Sequence, residues 1–202
     1  MTTLMTLTSL MSLFAAAGRA GKKPGASDVL ASGPLLRHPQ GQLALRKVRY
    51  VRRFFPELDD LVLKVGLTRR AAGFADLEGL TLWLNPRKLS LQTIAHELVH
   101  LLQGRGLVPG GERSCDVFAL ARDVSLVDAM PYYLEIPANL ADREGWLRPG
   151  AARRLHDLAR EAVARRSAGH RQYIRWFETE AQRITMPSAR TSRPPARPQR
   201  LF

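Results

Sequence analysis

The stretch that most constrains this chain runs from Ser90 to Gln103 and contains the pentapeptide His96-Glu97-Leu98-Val99-His100. Apolar residues recur through it at helical intervals, its first residue is of a type favoured at helix N-caps, and Gly104 follows where a C-terminal glycine is typical. The pattern predicts an amphipathic helix of about three to four turns. Because residues four apart share a helix face, the two histidines would present their imidazoles to one point.

Two imidazoles at that spacing are a pair of ligands that a zinc ion can use. Glu97 starts almost a third of a turn from His96 and can reach a water beside the metal without being a ligand. In a hydrolytic zinc site the metal activates water and polarises a carbonyl, while a carboxylate takes and returns the proton. The motif therefore predicts His96 and His100 as metal ligands and Glu97 as general base. The alternative is a core helix whose histidines are satisfied by hydrogen bonds or solvent.

Candidates for a third ligand follow a turn-rich segment, residues 104–111. The apolar spacing after it predicts a second helix that begins near Glu112. Glu112 and Asp116 share one face of that helix, so one carboxylate can bind the metal and the other can accept the free N–H of a ligand histidine. The alternative is an acidic first turn that complements the helix dipole. Cys115 lies between them and is predicted to be a buried thiol, with zinc ligation as the alternative.

The H-E-x-x-H sequence followed by Glu112-x-x-x-Asp116 resembles the signature of gluzincin metallopeptidases. The chain's small size is similar to that of minimal gluzincins, including the SprT-like and ImmA/IrrE-like peptidases, and the resemblance covers about residues 58–125. The metzincin pattern is absent, because Gln103 and Gly106 stand where it requires glycine and histidine.

The resemblance implies an α+β, zincin-like core: a small sheet, the H-E-x-x-H helix and a second glutamate-bearing helix, with flanking C-terminal helices. It implies zinc-dependent hydrolysis of peptide bonds in a protein or peptide substrate. It further implies one Zn²⁺ per chain. The roles it assigns are zinc ligation by His96, His100 and Glu112, general base catalysis by Glu97 and orientation of a ligand histidine by Asp116.

Alternating apolar residues predict strands over residues 61–67 and 80–85, with a turn over residues 73–79 between them. In the family resembled, the strand that leads into the H-E-x-x-H helix forms an edge along which an extended peptide docks, which is strand addition in physical terms. An aromatic loop follows the second helix. Its Tyr132 or Tyr133 is a candidate hydrogen-bond donor to a developing oxyanion, with simple packing as the alternative.

The flanking segments divide the chain. Residues 1–42 are predicted to be a partly disordered leader and linker, residues 43–185 the metallopeptidase domain, and residues 186–202 a disordered basic tail. Helices are predicted over residues 43–55, 151–166 and 170–184, and the last two form a hairpin. We expect His156 and His170, which lie among charged residues, to be surface histidines.

The chain carries a net charge of +13 and has a pI of about 11.1. Such a balance favours polyanions, so nucleic acid is a candidate partner through the arginine-rich surface and tail. The alternative is that an arginine-rich genome composition and an unfolded tail account for the charge, since no compact basic motif with interleaved aromatic residues is present. The alternative function is a nucleic-acid-associated or regulatory protein with a structural or degenerate zincin domain, or a SprT-like protease acting on DNA-bound proteins.

The single cysteine excludes an intrachain disulfide and suits a reducing compartment, which favours a cytoplasmic location. The apolar residues 1–17 leave a membrane element or export open, although they lack the basic segment of a secretory signal. Membrane association is not predicted.

Overall fold

The computed structural model describes residues 29–148 and 150–184 of this α+β protein. Residues 1–28 of the predicted leader and linker (residues 1–42), and the predicted basic tail, residues 186–202, lie outside them. The described residues form a mixed four-stranded sheet and six α-helices. In that part of the chain, no helix has the length and apolar character needed to cross a membrane. The strands are β1 (Val29–Ala31), β2 (Leu63–Leu67), β3 (Gly73–Asp76) and β4 (Thr81–Leu84), and the helices are α1 (Gly33–Arg37), α2 (Gly41–Arg52), α3 (Leu91–Gly104), α4 (Glu112–Leu120), α5 (Ala151–Ser167) and α6 (Tyr173–Ala181).

The sheet has the strand order β1-β2-β4-β3. The first three of these strands run parallel, and β3 pairs with β4 in the antiparallel sense. Alternation along β2 and β4 explains which face is buried: Leu63, Val65, Leu82 and Leu84 join the hydrophobic core, while Lys64 between them is exposed. Helix α3 packs against β3 at this buried face and against α4 on its other side. The H-E-x-x-H helix is thus central to the fold.

The N-terminal part of the described chain differs from the predicted linker. That prediction is wrong for residues 29–42, which form β1, α1 and the start of α2. The Ser32 hydroxyl caps α1 by accepting a hydrogen bond from the Leu35 amide, and Pro34 lies in the first turn, where its missing N–H costs nothing. Leu35 is fully buried. Gly33 and Pro34 begin a helix here. Glycine and proline are also common in loops, so composition alone does not distinguish the two structures.

The predicted turn over residues 73–79 is also wrong in part, because its first four residues form β3. Consequently β4 lies inside the sheet, hydrogen-bonded to both β2 and β3. The edge strand beside the H-E-x-x-H helix is β3 and not the strand that leads directly into that helix. The chain reverses at residues 77–80, where Leu80 adopts a positive φ of 48°.

The start of α3 is stabilised by two side chains. The Ser90 hydroxyl accepts a hydrogen bond of 2.9 Å from the Thr93 amide, as the sequence predicts. The Asp128 carboxylate, from the loop after α4, accepts hydrogen bonds from the Leu91 and Gln92 amides at 2.9 and 3.0 Å. A carboxylate at this position also complements the helix dipole. The N-terminus of α3 is therefore stabilised locally by Ser90 and also by Asp128, which comes from a loop distant in sequence.

The left-handed residue that ends α3 lies two residues beyond Gly104, the glycine predicted for that position. Gly104 is the last helical residue, and Gly106, with φ of 69°, takes the left-handed position. The Gly106 amide donates to the Gln103 carbonyl and the Leu107 amide donates to the Leu102 carbonyl, each at 2.9 Å. These two bonds form a Schellman motif, which closes the helix and starts the loop to α4.

The two predicted C-terminal helices are present as α5 and α6. His170 is exposed, as expected, but the prediction of a surface position for His156 is wrong. His156 is buried beside Leu155 and Ala159, and its Nδ1–H donates a 2.7 Å hydrogen bond to the Leu120 carbonyl at the end of α4. His156 is buried because this face of α5 packs against α4. Its charged neighbours in sequence gave no indication of this contact.

Gly106→Ala should lower the free energy of unfolding by about 1 kcal/mol, because a Cβ is disfavoured at its positive φ. Gly110→Ala is the matched control, since an added Cβ meets nothing within 4 Å at either glycine and only Gly106 has a positive φ. Urea unfolding of both variants measures the difference. Equal stabilities would contradict the role of the left-handed residue at the end of α3.

Candidate metal centre and adjoining cleft

Three predicted ligand side chains meet between α3 and α4. The Glu112 Oε2 atom lies 3.0 Å from Nε2 of His96 and 3.2 Å from Nε2 of His100. Zinc bonds of 2.0–2.1 Å in a tetrahedral arrangement place ligand atoms about 3.3 Å apart. The two distances are therefore close to those between the ligands of one zinc ion, and the structure brings together all three residues that the sequence nominated.

The orientation of His96 is fixed by Asp116. Its Nδ1 lies 2.7 Å from Oδ1 of this carboxylate, which is only 1% exposed. The other oxygen, Oδ2, accepts a 2.8 Å hydrogen bond from the Tyr133 amide. Burial by itself lowers the pKa of His96, but the hydrogen bond and the charge of Asp116 outweigh it, so the pKa is raised above its ordinary value. Because a carboxylate can only accept, Nδ1 of His96 carries a proton.

His100 is oriented by Gln103, one turn further along α3. Its Nδ1 lies 3.0 Å from Oε1 of Gln103. The Gln103 Nε2 group donates to the carbonyls of Pro109 and Gly111 at 2.7 and 3.1 Å. Two carbonyl acceptors require the amide nitrogen on that side, which leaves the amide oxygen facing the imidazole. Nδ1 of His100 therefore donates and also carries a proton.

These hydrogen bonds determine what the two histidines present to Glu112. When each neutral ring holds its proton on Nδ1, each Nε2 exposes a lone pair. Both lone pairs then face the same carboxylate oxygen of Glu112 at hydrogen-bond distance. Three electron-rich atoms at this separation repel one another unless a proton or a cation lies among them. Imidazole and carboxylate donors suit zinc, so the donor set fits that ion.

Cys115 lies beside the same centre. Its Sγ atom is 3.3 Å from Nδ1 of His100, and one atom each from His96, His100 and Cys115 lie within 4.8 Å of one another. The thiol is buried, and burial first, then nearby carboxylates, raise its pKa above the ordinary range. The sulfur lies against Nδ1 of His100, whereas Glu112 faces Nε2 of both rings.

Glu97 lies between α3 and the edge strand. It is 6% exposed, and burial raises its pKa to about 7, with a further increase from the charge of Glu112 and an opposing effect from His96. The Ala75 amide of β3 donates a hydrogen bond to this carboxylate. A Cβ added to Gly73 would lie 3.1 Å from its Oε1 atom. The glycine thus allows the strand to pass close to the carboxylate.

A cleft of about 440 Å³ opens beside these groups, between β3 and the aromatic loop. Tyr133 stacks on the His96 ring with a centroid distance of 5.5 Å and an interplanar angle of 21°. Tyr132 is more exposed, 67% against 49% for Tyr133. Both predicted tyrosines therefore flank the centre. The residues that line the cleft are Ala71, Ala72, Gly73, Lys88, Thr93, His96, Glu97, Tyr132 and Tyr133.

Sequence reasoning missed two contributors to this site. Gln103 lies three residues after His100, a spacing that places both on one helix face and could have indicated the contact. Ala75 of β3 could not have been identified, because its contact with Glu97 depends on how the edge strand pairs.

Comparison with protein-family models, curated proteins and solved structures finds no match. We therefore assign the chain to no family and infer its function from the site itself.

Proposed function

We propose that this protein is a zinc-dependent metallopeptidase with a zincin-like core. The observation that supports it best is that Nε2 of His96 and Nε2 of His100 both lie beside one carboxylate oxygen of Glu112. The hydrogen bonds of each ring's Nδ1, to Asp116 and to Gln103, turn these Nε2 lone pairs toward that oxygen. His96, His100 and Glu112 would hold Zn²⁺, and three protein ligands leave a fourth position open. When bound, zinc would polarise the scissile carbonyl and lower the pKa of water.

Glu97 is the acid–base group in this proposal. Its carboxylate adjoins His96 in sequence and lines the cleft, where a substrate and an attacking water would lie. Glu97 takes a proton from that water and delivers it to the nitrogen of the leaving amine. A pKa raised by burial to about 7 suits both roles, because a group that titrates near the operating pH can accept a proton as a base and return it as an acid.

The edge strand supports a peptide as substrate. No other strand of the described chain pairs with the outer side of β3, so its backbone groups there can pair with an extended segment. A peptide added along this edge would pass the Glu97 carboxylate, which the Ala75 amide contacts. Strand addition binds through the main chain, which is common to all peptides, and leaves side-chain preference to neighbouring pockets.

Purified protein should contain about one zinc per chain, and Glu112→Ala should weaken zinc binding by more than about 100-fold through loss of a direct ligand. Cys115→Ala is the matched control and should retain zinc. Metal analysis and competition with a chelator measure both. Cobalt substitution provides a second measurement, since sulfur ligation would give a thiolate charge-transfer band and the Glu112 set would not.

Loss of zinc in Cys115→Ala with retention in Glu112→Ala would replace the proposed donor set by His96, His100 and Cys115. Wild-type protein that remains free of zinc after reconstitution would refute the metallopeptidase proposal.

Glu97→Gln should reduce peptide hydrolysis by at least about 10²–10⁴-fold while zinc content stays at the wild-type level, because the amide cannot accept the proton of water. The exposed Glu144→Gln variant controls for the loss of one carboxylate. Cleavage of a mixed peptide library, followed by mass spectrometry, gives the rate. Full activity in Glu97→Gln would exclude it as the base.

Tyr133→Phe should lower kcat by about 10²-fold with little change in KM, if its hydroxyl donates a hydrogen bond to the developing oxyanion. We expect Tyr133 to matter more than Tyr132, since Tyr133 stacks on the His96 ring and is the less exposed of the two. Tyr132→Phe is the matched control. A larger effect in Tyr132→Phe would reverse the assignment.

A further inference from the structure

A second cavity, of about 750 Å³, lies at the carboxyl ends of the parallel strands β2 and β4. Leu67, the last residue of β2, and Asn85, the first residue after β4, both line it. Open sheets with parallel strands often bind ligands in the crevice outside these ends. The volume lies in the range of small-ligand pockets. This position is separate from the metal centre.

The cavity is surrounded by cationic side chains from three parts of the fold. Arg37 comes from the end of α1, Arg69 follows β2, and Arg87 and Lys88 belong to the 3₁₀ helix after β4. No acidic residue lines the cavity, and none of these four cations forms an ion pair with a carboxylate of the described residues. Cationic side chains that line one cavity give it a positive potential, which favours a bound anion.

Lys88 connects this cavity to the metal centre, because it lines both the cavity and the cleft that contains His96 and Glu97. A ligand that occupies the cleft can therefore extend past Lys88 into the cationic cavity. The two sites also adjoin in the sheet, because the Asn85 amide, at the cavity, donates a 2.9 Å hydrogen bond to the carbonyl of Ala72, at the cleft. An extended peptide advances about 3.6 Å per residue, so residues a few positions apart in one peptide can reach both sites.

We propose that the cavity bounded by Arg37, Arg69, Arg87 and Lys88 binds aspartate or glutamate side chains of a peptide that occupies the metal cleft. The inference rests on the proposed function and gives it a substrate class: peptides with acidic residues a few positions from the scissile bond. Arginine suits this role because its guanidinium can bind a carboxylate through two parallel hydrogen bonds.

The lining favours an acidic peptide over a nucleic acid. Single-stranded nucleic acids bind along a basic groove in which aromatic side chains stack on the bases. Here the cations line one concavity, and no Phe, Tyr or Trp is among its lining residues. Pro34, Pro39 and Leu67 instead provide apolar surface for the methylene groups of a peptide side chain.

Peptide binding to zinc-loaded Glu97→Gln protein tests the inference without turnover. Two fluorescein-labelled peptides share one sequence, except that three glutamates on one side of the centre are glutamines in the second. The acidic peptide should bind at least about tenfold more tightly, since each glutamate adds charge pairs at the cavity. Fluorescence anisotropy at fixed ionic strength gives both dissociation constants.

Arg37→Gln/Arg69→Gln/Arg87→Gln should remove the preference for the acidic peptide and leave binding of the neutral peptide unchanged. The matched control is Arg143→Gln/Arg153→Gln/Arg171→Gln, which removes the same charge from exposed positions that do not line the cavity. A preference lost equally in both triple variants would mean that only net charge acts, and would overturn the inference. Circular dichroism verifies that both variants are folded.

A single-stranded oligonucleotide serves as competitor. Tighter binding of the oligonucleotide than of the acidic peptide, lost in the cavity variant alone, would identify a nucleic-acid site and overturn the inference. Equal affinities for the two peptides would also overturn it and would leave the peptidase proposal standing. An acid preference in binding without cleavage of either peptide by the zinc-loaded wild type would support the cavity assignment and refute the peptidase proposal.

Discussion

The site depends on one buried carboxylate more than on any other group. Asp116 accepts from the His96 ring on α3 with one oxygen and from the Tyr133 amide of the aromatic loop with the other, while its own backbone belongs to α4. A carboxylate that is 1% exposed has given up nearly all its hydration, so both hydrogen bonds are needed to offset that cost. The same two bonds set the His96 tautomer and place the tyrosine beside it.

The C-terminal helices contribute to this arrangement although they carry none of the proposed ligands. Glu178 of α6 accepts a hydrogen bond from the Glu135 amide and pairs with Arg113 of α4. It therefore joins the aromatic loop to the helix that carries Glu112. Tyr173 of α6 donates a hydrogen bond to the Ser114 hydroxyl, also on α4. The hairpin of α5 and α6 thus supports the wall of the cleft opposite the sheet.

Sequence patterns predicted the elements whose structure is decided locally. Helix α3 follows from its periodicity and its Ser90 cap, and the spacing of Glu112 and Asp116 placed both on one face of α4. The strand β3 was missed although its partner β4 follows after four residues, because glycine and aspartate at its ends are typical of turns. The burial of His156 was missed because it depends on α4, which is distant in sequence. In the site, the pairing of His96 and His100 was evident from the motif. Only the fold reveals that the Ala75 amide reaches Glu97 and that four cationic residues from separate segments line one cavity.

The Gln103 amide has a further consequence, for the kinetics of metal exchange. It holds the His100 ring through its oxygen and the loop between α3 and α4 through its nitrogen, at Pro109 and Gly111. When that loop opens, the amide loses its two carbonyl partners and can rotate, which frees the ring it orients. Dissociation of a bound ion would then be timed by the opening of this loop and not by the strength of the ligand bonds alone. The lifetime of a bound metal would in this way be coupled to a segment that contains none of its proposed ligands.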